Sequence, residues 1–79
     1  MEIVYILIRT IHGKLKLVSS KLKTFSEIKE IYEVYGRYDI IAKIVVETRE
    51  ELNKFIQNKL LILEGISGTE TLIVIGDEN

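Results

Sequence analysis

Val34-Tyr35-Gly36-Arg37-Tyr38-Asp39-Ile40-Ile41-Ala42-Lys43 is the stretch on which the fold turns. Apolar, β-prone residues run into a glycine, and a tyrosine and an aspartate follow it. Glycine adopts positive φ without a steric cost, so Gly36 suits a tight connection between two antiparallel strands. Beyond it, residues 38–47 alternate as a strand. Tyr38, Ile40, Ala42, Ile44 and Val46 share one face, and Asp39, Ile41, Lys43, Val45 and Glu47 share the other. Turn formation does not by itself explain the aspartate, which marks this turn as the candidate working end of the molecule.

The segment before the turn, residues 25–35, reads two ways. As a helix, Ser26 caps it and Ile28, Ile31, Tyr32 and Tyr35 form a stripe ending at Gly36. As a strand, Ile28, Tyr32 and Val34 share a face interrupted by Glu30. The strand that follows needs an antiparallel neighbour, which selects a strand over 28–35.

Outward from there, residues 2–10 form a first strand that is apolar on both sides: Val4, Ile6 and Ile8 on one, Ile3, Tyr5 and Leu7 on the other. His12-Gly13 break it. Residues 14–23 read as a helix on Leu15, Val18 and Leu22. Thr48-Arg49-Glu50-Glu51 is a capping box. The helix it opens buries Leu52, Phe55, Ile56, Leu60 and Leu63 and stops at Gly65. Residues 66–75 are the last strand, with Leu72-Ile73-Val74-Ile75 as its core, and Gly76-Asp77-Glu78-Asn79 is a polar tail that frays.

Composition excludes several functions. The 79 residues make one domain, 1–79. Without cysteine, and with His12 as the one histidine, disulfides and Cys- or His-rich metal sites are ruled out, and no cofactor is expected. Eleven basic against twelve acidic residues give a net charge of −1, which argues against direct nucleic-acid binding. Lys14, Lys16, Lys21 and Lys23 alternate with leucines and read as a solvated helix face rather than a phosphate patch. No stretch reaches the roughly 18 apolar residues of a membrane span, and a signal-peptide pattern is lacking. A cytoplasmic protein fits these features. His12 as a base would need a partner that the sequence does not locate.

The element order is β-α-β-β-α-β, an α+β, ferredoxin-like arrangement: a four-stranded antiparallel sheet with two helices on one face. The other face of such a sheet is polar when it meets water. Here strands one, three and four are apolar on both sides. A small core alone rarely supplies more than about 3–5 kcal/mol, so a homodimer packed through the second face is expected.

These residues resemble the effector-binding (RAM) domain of the Lrp/AsnC family of transcription regulators. The resemblance runs through residues 34–43, through Glu51-Leu52 to Leu60, and through Leu63-Glu64-Gly65-Ile66-Ser67-Gly68-Thr69-Glu70-Thr71. It covers essentially the whole chain and implies a stand-alone form lacking the helix-turn-helix. Departures are Tyr35, where the family usually has a small polar residue, and Glu64, where it has proline. The resemblance implies dimers, rings of dimers and an amino acid effector bound between dimers. It also implies a route to assemble with full-length Lrp/AsnC-type regulators. By that analogy Asp39 pairs with the ligand's ammonium and the Gly36 turn amides receive its carboxylate. Thr69 and Thr71 add hydroxyls, Tyr38 a ring and hydroxyl, and Arg37 a contact to a neighbouring subunit.

Two other readings stand beside this one. The first is a structural oligomerisation module with no ligand. The second is a small ferredoxin-like enzyme; an acylphosphatase-like site wants an arginine in the loop after the first strand, which here reads Thr10-Ile11-His12-Gly13. RNA binding would want aromatic and basic residues on the central strands, where Tyr5 and Tyr38 stand among aliphatics.

Overall fold

The strictest alternation in the sequence becomes the middle of the sheet. In the computed structural model, which describes residues 1–76, β3 (Ile40–Val46) buries Ile40, Ala42, Ile44 and Val46 and leaves Ile41, Lys43 and Val45 half-buried. It pairs antiparallel with β1 (Glu2–Thr10) on one side and β2 (Ile28–Glu33) on the other. Strand β4 (Ile66–Ile73) closes the far edge against β1, giving the order β2-β3-β1-β4. Helices α1 (Leu15–Leu22) and α2 (Arg49–Phe55) complete the βαββαβ arrangement. Val18 and Leu22 of α1, and Leu52 and Phe55 of α2, pack on Val4, Ile6, Ile8, Ile40 and Ile44 to form the core. Phe55 meets Phe25 edge-on, with centroids 5.6 Å apart.

The capping box forms as its sequence predicts. Thr48 Oγ1 accepts from the Glu51 amide at 3.1 Å, and Glu51 Oε1 reaches back to the Glu47 amide at 2.9 Å. The helix does not run on to Leu63. After Phe55 it widens into a π-helical stretch, Ile56–Leu60, in which the Leu61 amide donates to the Ile56 carbonyl at 2.9 Å. The spacing of the apolar residues accounts for this. An α-helix would carry Lys59 toward the sheet below Phe55, whereas the wider turn brings Leu60 there instead. Leu60 is fully buried, and Lys59 reaches outward to Glu27.

Two strand expectations are corrected. Segment 25–35 is a strand, but a shorter one, and a register shift between Ile28 and Glu30 puts Ile28 and Ile31 together on the core while Tyr32 turns to the opposite side. A bulge of this kind adds one residue and reverses the facing of those beyond it. The last strand ends at Ile73 rather than Ile75. Of residues 72–75, Ile73 alone packs against the core, because β4 is an edge strand with one paired neighbour. The expected polar tail lies, from residue 77 onward, outside the described residues.

The second face of the sheet is apolar, as the alternation requires. Ile3, Tyr5 and Leu7 of β1 stand beside Val45, Lys43 and Ile41 of β3. Tyr32 flanks Ile41, and Leu72 flanks Tyr5. Both helices lie on the other side of the sheet. Two polar residues here pair with Glu30: Lys43 Nζ lies 3.6 Å from it, and the Tyr32 hydroxyl donates to it at 2.9 Å.

Candidate functional site

Between β2 and β3 the chain makes a loop over residues 34–39, longer than the tight turn expected at Gly36. The Val34 amide donates to the Asp39 carbonyl at 2.9 Å and closes the base of the loop. Tyr35, Gly36 and Arg37 are exposed at its tip, and Tyr35 is as exposed as an isolated residue (107 %). Gly36 has φ +145°, and no atom lies within 4 Å of where a β-carbon would be. The glycine is therefore required by backbone conformation, and no side chain crowds the loop there.

Two of the loop's candidate side chains, Asp39 and Tyr38, are engaged by the rest of the fold. Asp39 does not extend the β3 ladder outward. Its amide donates to the Ile8 carbonyl at 2.8 Å, and its carboxylate Oδ2 accepts from the Thr10 amide at 2.7 Å and the Thr10 hydroxyl at 3.1 Å. Among the described residues no cation lies within ion-pairing distance of Asp39.

Tyr38 reaches across the open face instead of joining the core side with Ile40. Its hydroxyl donates to Glu70 Oε1 at 2.7 Å, and the Arg9 guanidinium carbon lies 5.1 Å from its ring centroid. Glu70 faces Leu7 across the β1–β4 ladder, which fixes this contact on the open face. The Glu70 hydrogen bond, with partial burial and the carboxylate's charge, holds the Tyr38 phenol above its ordinary value of 10.0; Arg9 and Arg37 oppose the shift. Arg9 Nε also donates to the Arg37 carbonyl at 3.0 Å, tying the loop to the end of β1.

Gly36, Arg37, Tyr38 and Asp39 are thus brought together at one end of the sheet. Thr69 and Thr71 are not brought to them. They pair with Ile8 and Ile6 and so face the helix side, whereas Tyr38 lies over the opposite face. Sequence reading missed Arg9, Thr10 and Glu70. The signal was present in the strand pairing: with Ile8 opposite Ile40, the end of β1 must lie beside Asp39.

A separate groove of about 450 Å³ lies at the other end of β3, between α2 and the start of β2. Lys29, Lys54, Lys59, Glu27, Glu47 and Glu51 are on its walls. Glu27 Oε2 accepts from Lys59 at 2.8 Å, while Oε1 is buried without a partner among the described residues. Burial pushes the Glu27 carboxyl up, but Lys59, its own backbone amide and Lys29 together hold it below the ordinary 4.5. No three His, Cys, Asp or Glu side chains gather at a metal-binding distance among the described residues. No described helix is long and apolar enough to cross a membrane.

Set against known proteins, residues 3–77 match the family model of the Lrp/AsnC ligand binding domain. The chain belongs to this family. It is 44 % identical over 71 residues to the HTH-type transcriptional regulator FL11 of Pyrococcus furiosus, a match covering 90 % of this chain and 46 % of FL11. The chain therefore spans about half the length of that relative. The crystal structure of FFRP-DM1 superposes with a TM-score of 0.92 at 40 % identity, covering 95 % of this chain and all of that one. The transcriptional regulator NMB0573 of Neisseria meningitidis, solved as an L-Met complex, shares the fold at a TM-score of 0.89 and 11 % identity. That match covers 99 % of this chain and 52 % of NMB0573.

Proposed function

We propose that this domain is a non-enzymatic regulatory module that binds an amino acid at the 34–39 loop and assembles through the open face of its sheet. The observation that carries the ligand reading is the state of Asp39. In a domain of a ligand-binding family, it keeps one carboxylate oxygen free of any described donor at the foot of an exposed glycine loop. An α-ammonium suits that oxygen. The loop amides near Gly36 suit an α-carboxylate, and Arg37 and Tyr38 border the same space. Thr69 and Thr71 enter the proposal only as contacts from a different subunit than the one supplying Asp39. The L-Met complex of NMB0573 supports an amino acid as the ligand class.

Assembly follows from the apolar second face. A homodimer packed there, with dimers joining into rings, covers Tyr5, Leu7, Ile41 and Leu72. The similarity to FL11, a DNA-binding regulator by name, supports mixed assembly with full-length relatives as the route to gene control. The near-neutral charge favours that indirect route over direct DNA contact.

The test is a thermal-shift screen of the twenty L-amino acids against the wild type and Asp39→Ala, each referred to its own unliganded midpoint. An effector at a hundred times its Kd stabilises by about 2.7 kcal/mol. Absence of any shift in the wild type, or an identical response from Asp39→Ala, refutes the site. Co-purification with a DNA-binding relative tests mixed assembly, and recovery of self-assembled protein alone counts against it. The engagement of Asp39 by Thr10 favours a second reading, an assembly module without ligand; the same screen decides between them.

A further inference from the structure

The two carboxylate oxygens of Asp39 are not equivalent, and this bears on what the site proposed above accepts; the inference rests on that reading. Oδ2 is occupied twice, by the Thr10 amide at 2.7 Å and the Thr10 hydroxyl at 3.1 Å. No described residue donates to Oδ1, yet that oxygen is not among the buried unpartnered atoms, so solvent reaches it. The Arg9 side chain is directed elsewhere. Arg9 is bound to the Arg37 carbonyl and the Tyr38 ring, and no described cation pairs with Asp39.

Thr10 stands opposite an irregularity of the edge strand. The β1–β4 register shifts between Arg9 and Thr10, with Gly68 facing Arg9 and Ile66 facing Thr10, so the extra residue, Ser67, belongs to β4 and it is β4 that bends there. Here amide and hydroxyl of one residue converge on one oxygen of another, 29 positions away.

We propose that Thr10 is the positioning residue of the ligand site. It fixes the plane of the Asp39 carboxylate and leaves Oδ1 as the single oxygen offered to a ligand. One free oxygen matches a primary ammonium, a compact point donor. It does not match a guanidinium, whose two parallel N–H groups want both oxygens of a carboxylate. The site therefore selects a ligand presenting a primary ammonium at Asp39.

The experiment measures binding of each of the twenty L-amino acids by calorimetry to five proteins: wild type, Thr10→Val, Thr10→Ser, Asp39→Asn and Asp39→Ala. Thr10→Val removes the hydroxyl donor and weakens binding of the amino acid that the wild type takes by about tenfold, the scale of a lost hydrogen bond to a charged group. Thr10→Ser keeps the hydroxyl and binds within about twofold of the wild type, a rescue that a purely packing role for the threonine methyl would not give. In Asp39→Asn the amide oxygen is held by Thr10, so an NH₂ faces outward and binding falls more than tenfold. Wild-type affinity in Thr10→Val overturns the proposal, as does wild-type affinity in Asp39→Asn, which remains informative if the valine variant does not fold. If Asp39→Ala abolishes binding while Thr10→Val leaves it intact, this inference fails and the site reading survives. If the wild type binds no amino acid, both fail.

Discussion

The Asp39 carboxylate accepts two hydrogen bonds from Thr10, at 2.7 and 3.1 Å, and so joins the loop before β3 to the last residue of β1. Asp39→Ala leaves the partly buried Thr10 amide without its partner. A loss of about 1–3 kcal/mol is expected, read as a lower urea midpoint at an unchanged m-value. A midpoint equal to wild type would mean that water replaces the carboxylate without cost.

Gly65 is the glycine that packing cannot spare. A β-carbon there would sit 2.9 Å from Val18 Cγ2 and 3.0 Å from Lys14 Cβ, at φ +102°. Gly65→Ala combines overpacking and left-handed strain and should cost about 2–4 kcal/mol. Gly36→Ala carries strain alone, since nothing lies within 4 Å of that site, and should cost less. The two denaturation midpoints, compared side by side, decide whether α1 docks through Gly65.

Thr48→Ala removes the acceptor for the Glu51 amide and should destabilise by about 1 kcal/mol. Glu51→Ala, which frees the Glu47 amide, should have a smaller effect at that exposed position. Helical circular dichroism near the midpoint is the measurement; equal stability in Thr48→Ala would remove the capping box from the account of α2.

The Glu27–Lys59 pair predicts an acid sensitivity of definite sign. Glu27 is held below 4.5 in the fold, so its contribution is complete above the unfolded value and is lost as pH falls through the lower folded value. Thermal midpoints of wild type and Glu27→Gln should differ most near neutrality and converge below about pH 4.5. A difference that does not change with pH would show that packing, not charge, is what Glu27 contributes.

Ile41 lies near the middle of the open face, between Leu7 and Tyr32. Burying a glutamate there against an apolar partner is costly. Ile41→Glu should turn a dimer into a monomer by light scattering at low micromolar concentration, with the far-ultraviolet spectrum unchanged. A wild type that is itself monomeric at that concentration would refute pairing through this face.

Much of this architecture was legible because β1 and β3 are near-continuous runs of β-prone apolar residues, and Thr48–Glu51 announces its helix by side-chain chemistry. What escaped the sequence came from single-residue irregularities. The shift after Ile28 reversed the facing of Tyr32, and a π-helical turn over Ile56–Leu60 took the place of the expected run of α-helix. At the loop, Gly36 and Asp39 stood out by residue type. Tyr38's reach to Glu70 and Asp39's hold on Thr10 depend on contacts 32 and 29 residues apart, which no local pattern encodes.

The strand order β2-β3-β1-β4 also sets a timetable. Of the four strands, β1 is the first to leave the ribosome and β4 the last, yet they are hydrogen-bonded neighbours. Until β4 is in place, β1, a central strand with apolar residues on both faces, has one edge unpaired, a template for any other extended chain. Nascent chains halted within α2 should therefore be held by chaperones or aggregate, and release should track the arrival of β4 rather than of the helices.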